Sequence, residues 1–245
     1  AQTVAKVNVG EEPFPGEAHL QERLEAVVGS GQLTATTDTA AAVEQSEAVV
    51  IVVPLFVDEE GVPDFGWMDS ATHDVARGLR PGTLVSYETT LPIGTTRDRF
   101  GPMLAEGSGL NSGEFNLVFS PERVFTGRVF SDLRRYPKLV GGIDAESGRA
   151  GKRFYESVLD FDVRTELPRA NGVWDLGSAE AAEMAKLAET TYRDVNIGLA
   201  NQFARFAGGR GINIYSVIEA CNSQPFSHIH QPGIAVGGHC IPIYP

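Results

Sequence analysis

The 245-residue chain carries 20 Lys+Arg against 32 Asp+Glu, a formal charge of −12, with 42% hydrophobic residues, 27 Gly, 14 Pro and two Cys. That acidity removes the cationic footprint that a phosphate backbone requires, which excludes nucleic acid and anionic membrane as partners but still allows a small anionic ligand held by local groups. The longest apolar run, 48–57, is broken by Pro54 and falls short of the ~20 residues that span a bilayer, no signal-peptide pattern opens the chain, and two Cys make no disulfide framework, so a soluble cytoplasmic protein is expected.

At ~150 residues per domain this is one large domain or one and a half ordinary ones. The opening AQTVAKV has no initiator Met and reads as the middle of a helix. Residues 17–29 carry Leu20, Leu24, Val27 and Val28 at helical spacing and stop at Gly29-Ser30-Gly31, where glycine takes the left-handed cap. A short strand at 32–36, a helical turn at 39–44 and a strand at 48–53 follow. The last is apolar on both faces, as a central parallel strand under two helical layers should be. Trp67, Ala71, Val75 and Leu79 step along a helix that ends before Pro81-Gly82, and a strand at 83–88 leads to the loop at 89–94. Another helix, strands at 115–119 and 138–141, a helix near 146–159 and a strand around Val163 complete an alternation that implies a doubly wound α/β layer.

The character changes near Leu167. Pro168-Arg169-Ala170-Asn171-Gly172 reads as a linker, and 178–207 as one helix of ~45 Å, long enough to bridge two domains or pack against a second subunit. The expected division is 1–165 and 166–245.

Ligands of open parallel sheets lie outside the carboxyl ends of the strands. Pro54-Leu55, Thr89-Thr90 and Ser120-Pro121-Glu122 each follow a strand and are either ligand-binding or ordinary loop residues. The G-x-G-x-x-G fingerprint is absent: Gly29-Ser30-Gly31 has Thr34 at the third position, Gly107-Ser108-Gly109 has Ser112, and neither opens a helix after a strand.

On the long helix Ala188, Tyr192, Val195, Leu199, Phe203 and Phe206 form an apolar stripe, with Lys186, Thr190, Arg193 and Ile197 opposite. That second face is either simply solvated or, through Lys186 and Arg193, suited to a phosphate or oxyanion. Three of the five His and one Cys fall within 228–240. Cys221 completes an apolar helical face with Ile214, Val217 and Ile218, as a buried inert thiol would. Cys240 follows a Gly-Gly pair that permits close approach, and His239 or a nearby cation would favour its thiolate. A structural loop is the rival reading. No metal site is assigned, because adjacent residues rarely ligate one tetrahedral ion and no Cys-x-x-Cys accompanies them.

Taken in order, AVVIVVP at 48–54, TTLPIGTT at 89–96, SPERV at 120–124, LVGG at 139–142, AEMAKL at 182–187, YRDVNI at 192–197 and GGHCIP at 237–242 resemble the UDP-glucose/GDP-mannose dehydrogenase family over essentially the whole chain. The YRDVNI and HCIP versions look like the branch that oxidises UDP-N-acetylmannosamine to the uronate, with the UDP-glucose and GDP-mannose branches as alternatives. The resemblance implies a partial Rossmann-like parallel sheet followed by a long-helix, α-helical central domain, with NAD as cofactor and a nucleotide sugar as substrate. It also implies a homodimer through the long helix.

By resemblance, Cys240 adds to an intermediate aldehyde, and the thiohemiacetal is oxidised to a thioester that water hydrolyses. Lys186 faces the oxyanion, Glu122 positions the water, and Thr90 and Thr190 assist. Pro54, Leu55, Thr89, Thr90 and Glu122 line the cofactor, while Arg193, Asn196, His228, His230, Gly237 and Gly238 contact the substrate. The chain departs from the family pattern at Leu55, Thr190 and Tyr244, where Thr, Asn and Asp are usual. These departures motivate the reading of another class, a non-catalytic binding or dimerisation module; a 3-hydroxyacid or 6-phosphogluconate-type dehydrogenase needs no cysteine. The family begins with the glycine loop upstream of residue 1 and continues past residue 245, so weak NAD binding and little turnover are expected of this stretch alone.

Overall fold

The computed structural model describes residues 2–233. In chain order they form α1 (Gln2–Asn8), α2 (Leu20–Gly29), α3 (Thr39–Glu44), β1 (Ala48–Ile51), β2 (Phe56–Val57), β3 (Pro63–Asp64), α4 (Gly66–Gly78) and β4 (Leu84–Tyr87). A π-helical turn at Thr96–Phe100 leads into α5 (Gly101–Ser108), followed by β5 (Asn116–Phe119), α6 (Val129–Arg135), β6 (Lys138–Gly142) and α7 (Ala145–Val158). The strand β7 (Val173–Asp175), α8 (Ala179–Gly208) and α9 (Ile214–Asn222) complete the series. Among the described residues no helix is long and apolar enough to cross a membrane.

The chain divides into two compact units, one of residues 1–54 and 66–183, the other of 55–65 and 184 onward. The first holds a five-stranded sheet in the order β1-β4-β5-β6-β7. Ile51, Tyr87 and Phe119 pair in register across three parallel strands. The core lies where these strands bury Val85, Leu117, Val118 and Val140 against Met68 and Val75 of α4, Leu104 of α5 and Tyr155 of α7. Tyr87 stacks on Phe100 at 4.3 Å and shares a hydrogen bond with Thr72 at 2.7 Å. The second unit contains the β2–β3 hairpin, the rest of α8, and α9.

The mostly parallel α/β sheet and the long helix agree with the sequence reading, α8 to within a residue at each end. Four local expectations are corrected. Residues 32–36 are not a strand, because both backbone groups of Ala35 pair with the side-chain amide of Asn8, at 2.7 and 2.9 Å, instead of a ladder. Among the described residues the strand β1 has a neighbour, β4, on one flank only, not on both as a central strand would, and Val50 and Val52 are exposed. Val163 lies outside any strand and is 94% exposed, whereas the strand forms beyond the linker as β7 and extends the first unit to Glu183. Finally, β6 runs antiparallel to β5, so the sheet is not uniformly parallel.

Close backbone approach fastens the start of α8 to this sheet. A Cβ on Gly141 of β6 would lie 1.9 Å from the Ser178 carbonyl oxygen, whereas one on Gly198, in the middle of α8, would meet nothing within 4 Å. In urea unfolding, Gly141→Ala should therefore lower stability by at least about 1–3 kcal/mol through overpacking. Gly198→Ala should raise it by up to about 1 kcal/mol through helix propensity.

Candidate active site

In the first unit the parallel ladder continues one step beyond the strands. Glu88 N–H donates to Ile51 O at 3.0 Å, Ser120 N–H to Tyr87 O at 2.8 Å, and Glu122 N–H to Glu88 O at 3.1 Å. The loops after β1, β4 and β5 are thus tied side by side, and the Thr89 hydroxyl adds a bond to Val53 O at 2.7 Å. Pro54, Thr89, Thr90 and Glu122 are brought to one sheet edge, as their positions after strands predict. Thr90 is buried. The Glu122 carboxylate accepts from its own loop, from Arg123 N–H at 2.5 Å and Val124 N–H at 2.8 Å.

Beneath this edge lies a buried polar cluster. Glu88 accepts from Lys138 Nζ at 2.9 Å and from the Tyr155 hydroxyl at 2.6 Å, and Tyr155 meets the Ser86 hydroxyl at 2.7 Å. Burial, reinforced by the neighbouring Glu88 charge, pushes the Tyr155 phenol far up, so it remains a donor. Nearby, Glu17 accepts from Gly127 N–H at 2.6 Å and Val129 N–H at 2.9 Å, which holds the loop that leads into α6.

A second buried carboxylate fastens the threonine loop to α8. Glu183 takes Gly94 N–H at 2.6 Å, Thr96 N–H at 2.9 Å and the Thr96 hydroxyl at 2.7 Å. Burial raises its pKa in spite of these donors. One turn earlier, Glu180 receives Arg97 Nε at 2.5 Å, and this bond draws its carboxyl from the ordinary 4.5 to about 2.

In the second unit α8 presents its faces opposite to the simple expectation. Thr190, Ile197 and Asn196 are buried and Lys186 and Arg193 half-buried, whereas Tyr192, Val195, Leu199, Phe203 and Phe206 are all at least 41% exposed. The face that a solvated reading would put in water is the covered one. The Thr190 hydroxyl donates back into its own helix, to Lys186 O at 3.1 Å and Leu187 O at 3.0 Å, which leaves its oxygen as an acceptor.

Asn196 donates to the Tyr192 hydroxyl at 3.0 Å and to His228 O at 2.6 Å, and accepts from His230 N–H at 3.0 Å. Both of its N–H groups are thus taken up by protein. His228 and Asn196 line a cavity of about 460 Å³ with Tyr192, Leu199 and Phe226. Leu55, in the hairpin segment of this unit, is buried. Gly237, Gly238, Cys240 and Tyr244 lie outside the described residues.

A dinucleotide needs room for its nicotinamide and a cradle for its diphosphate. Pro54, Thr89 and Thr90 stand at the strand ends, where the ligands of such sheets lie. Neither Gly-Ser-Gly run supplies the cradle, since one closes α2 and the other closes α5 with Gly109 at φ +73°. The described residues therefore offer strand ends of the right kind but no glycine cradle for the diphosphate. They include no group of three His, Cys, Asp or Glu arranged to hold a metal ion.

Residues 1–159 match the NAD binding domain of the UDP-glucose/GDP-mannose dehydrogenase family, and residues 180–245 match its central domain. The chain belongs to this family. The dehydrogenase family's NAD-binding domain thus supplies β1, β4, β5 and β6 of the five-stranded sheet, and its central domain nearly all of the long helix. The chain is 36% identical to the UDP-N-acetyl-D-mannosamine dehydrogenase of Pyrococcus horikoshii, over 99% of this chain and 54% of that protein. The solved structure of the UDP-D-ManNAc dehydrogenase from Pyrococcus horikoshii superposes with a TM-score of 0.88 at 34% identity, covering 99% of this chain and 55% of that one. A 31% identical relative, from Ralstonia solanacearum, is an NDP-N-acetyl-D-galactosaminuronic acid dehydrogenase, matched over 94% of this chain and 52% of that protein. The chain thus spans about half the length of these curated relatives.

Sequence reasoning missed Glu17, Glu88, Lys138, Tyr155 and Glu183. The available signal was a charge at the end of an apolar strand run for Glu88 and Lys138. For Glu183 it was a position one helical turn before Lys186.

A carboxyl with a lower pKa folded than unfolded adds stability above the unfolded value and loses it as pH falls through the folded one. The Arg97–Glu180 pair should therefore stabilise above pH 4.5 and lose that contribution toward pH 2. Urea melts of wild type and Glu180→Gln should differ by about 0.2–1 kcal/mol at pH 6, as expected of a partly exposed pair, and converge near pH 2.

Proposed function

We propose that this chain forms part of an NAD-dependent nucleotide-sugar 6-dehydrogenase that converts UDP-N-acetylmannosamine to UDP-N-acetylmannosaminuronate in the cytoplasm. The observation that carries the reading is the ordered motif set, closing on GGHCIP at 237–242, in a chain 36% identical over its length to a UDP-N-acetyl-D-mannosamine dehydrogenase.

Bound NAD supplies the hydride acceptor for two successive oxidations at the sugar C6. The protein's part is covalent and electrostatic. The Cys240 thiolate adds to the C6 aldehyde, and the resulting alkoxide takes up a proton to give the thiohemiacetal. Loss of the hydroxyl proton and of a second hydride from that carbon gives the thioester, which water cleaves to the carboxylate and a proton, restoring the thiol. The Lys186 ammonium, half-buried on α8, is the fixed cation for the oxyanion, and a partly desolvated site strengthens that attraction. Thr190 keeps an acceptor for water on the same face. Glu122, held by its own loop amides, positions the hydrolytic water, while Pro54, Leu55, Thr89 and Thr90 hold the cofactor. Arg193 meets the substrate diphosphate, and His228, His230, Gly237 and Gly238 line the substrate.

The full-length protein should form two NADH per uronate from UDP-N-acetylmannosamine, and Cys240→Ser should abolish uronate formation. Unchanged acid production by the variant would refute the covalent mechanism. Absence of NADH with a panel of UDP- and GDP-sugars would favour a non-catalytic module.

The active assembly is a homodimer through α8, a reading supported by the exposed Tyr192, Val195, Leu199, Phe203 and Phe206 on one face. Light scattering of the intact protein should give twice the chain mass, and Val195→Asp with Phe203→Asp should halve it. A monomeric wild-type mass would overturn the assignment.

A further inference from the structure

Residues 228–233 belong to no helix or strand, yet five of their backbone groups are matched by side-chain amides. Asn222, the last residue of α9, accepts from Ile229 N–H at 2.8 Å and donates to Ile229 O at 2.9 Å. Asn196 of α8 donates to His228 O at 2.6 Å and accepts from His230 N–H at 3.0 Å. Asn201, also on α8, accepts from Gly233 N–H at 2.9 Å.

An asparagine amide carries donor and acceptor in one plane, as a peptide group does. The pairing also alternates along the segment: Ile229 is met from α9, and its neighbours His228 and His230 from α8. Successive peptide groups of an extended chain point to opposite sides, so this is the bonding of a strand whose neighbours are side chains. The His228 carbonyl, which only accepts, and the His230 N–H, which only donates, fix which way the Asn196 amide faces, and the Tyr192 hydroxyl takes its second N–H at 3.0 Å. Ordinary satisfaction of a surface loop needs one such bond here and there. Here three amides from two helices bond to four of the six residues 228–233.

We propose that Asn196, Asn201 and Asn222 are positioning residues that clip segment 228–233 between α8 and α9 and thereby set where the chain enters the cysteine loop. Their effect on the reaction rests on the reading of Cys240 as nucleophile. Nucleophile placement matters steeply, since an error of ~1 Å can cost on the order of 10²-fold in rate. A displaced thiol fails to capture the aldehyde, which then leaves the site and is lost to the second oxidation.

Two measurements test this. In hydrogen exchange on the 245-residue chain, 228–233 should be protected in wild type and lose protection in Asn222→Ala and Asn201→Ala, with α8 unchanged. Asn222→Asp, which keeps only the acceptor for Ile229 N–H, should fall between. In the full-length enzyme, hydroxylamine present during turnover should trap roughly tenfold more aldehyde per uronate in Asn222→Ala than in wild type. A variant that merely unfolds in part lowers both products together and leaves that ratio unchanged. Equal exchange in wild type and variants would overturn the clip. Faster exchange with an unchanged aldehyde-to-uronate ratio would overturn its role in positioning. If wild type turns over no nucleotide sugar, the dehydrogenase reading fails, and the exchange result alone upholds or refutes the clip.

Discussion

The ligand edge of the first unit depends on one ion pair removed from water, Lys138 Nζ to Glu88 at 2.9 Å, with side chains 7% and 10% exposed. It exists because β6 runs antiparallel to its neighbour. A parallel β6 would begin at the opposite end of the sheet. Run in reverse, it delivers its first residue, Lys138, to the carboxyl ends of β4 and β5, where Glu88 waits. The Tyr155 hydroxyl from α7 adds a second donor to the same carboxylate oxygen. Removing one partner of such a pair leaves a buried charge uncompensated, a loss on the order of 3–5 kcal/mol. The pair therefore does less to stabilise the fold than to forbid other arrangements of the three loops above it.

Glu183 applies the same logic at the start of α8. Its carboxylate is fully buried and meets two backbone N–H groups and a hydroxyl from one short stretch, 94–96. Only one placement of that stretch satisfies all three. Rigid strand ends and a pinned loop make a preorganised surface, which has less ordering to do on binding.

The sequence was most legible where local chemistry decides. The extent of α8 followed from periodicity and a bounding linker, and the helical turn at 39–44 was placed to the residue, with the Asp38 side chain accepting from Ala41 N–H. Thr89, Thr90 and Glu122 were legible because the strands before them were, and chain direction does the rest. What failed needed tertiary information. Apolar residues on both sides of 48–53 do not reveal that β1 has a neighbour on only one flank. The stripe from Tyr192 to Phe206 shows that α8 has two faces without showing which one the same chain covers. The roles of Glu88, Glu183 and the three asparagines arise from partners dozens of residues away, and no local pattern announces them. The family resemblance, by contrast, was carried by short motifs whose order alone is specific.

The flank of β1 has a further consequence. Among the described residues β1 pairs on one side only, and Ala48–Ile51 contains neither a charge nor a proline, while Val50 and the following Val52 are exposed. Native sheets usually blunt such an edge with lysine, proline or a bulge. A flank with none of these devices suits a further strand of the same sheet, which is what apolar residues on both faces of 48–53 call for.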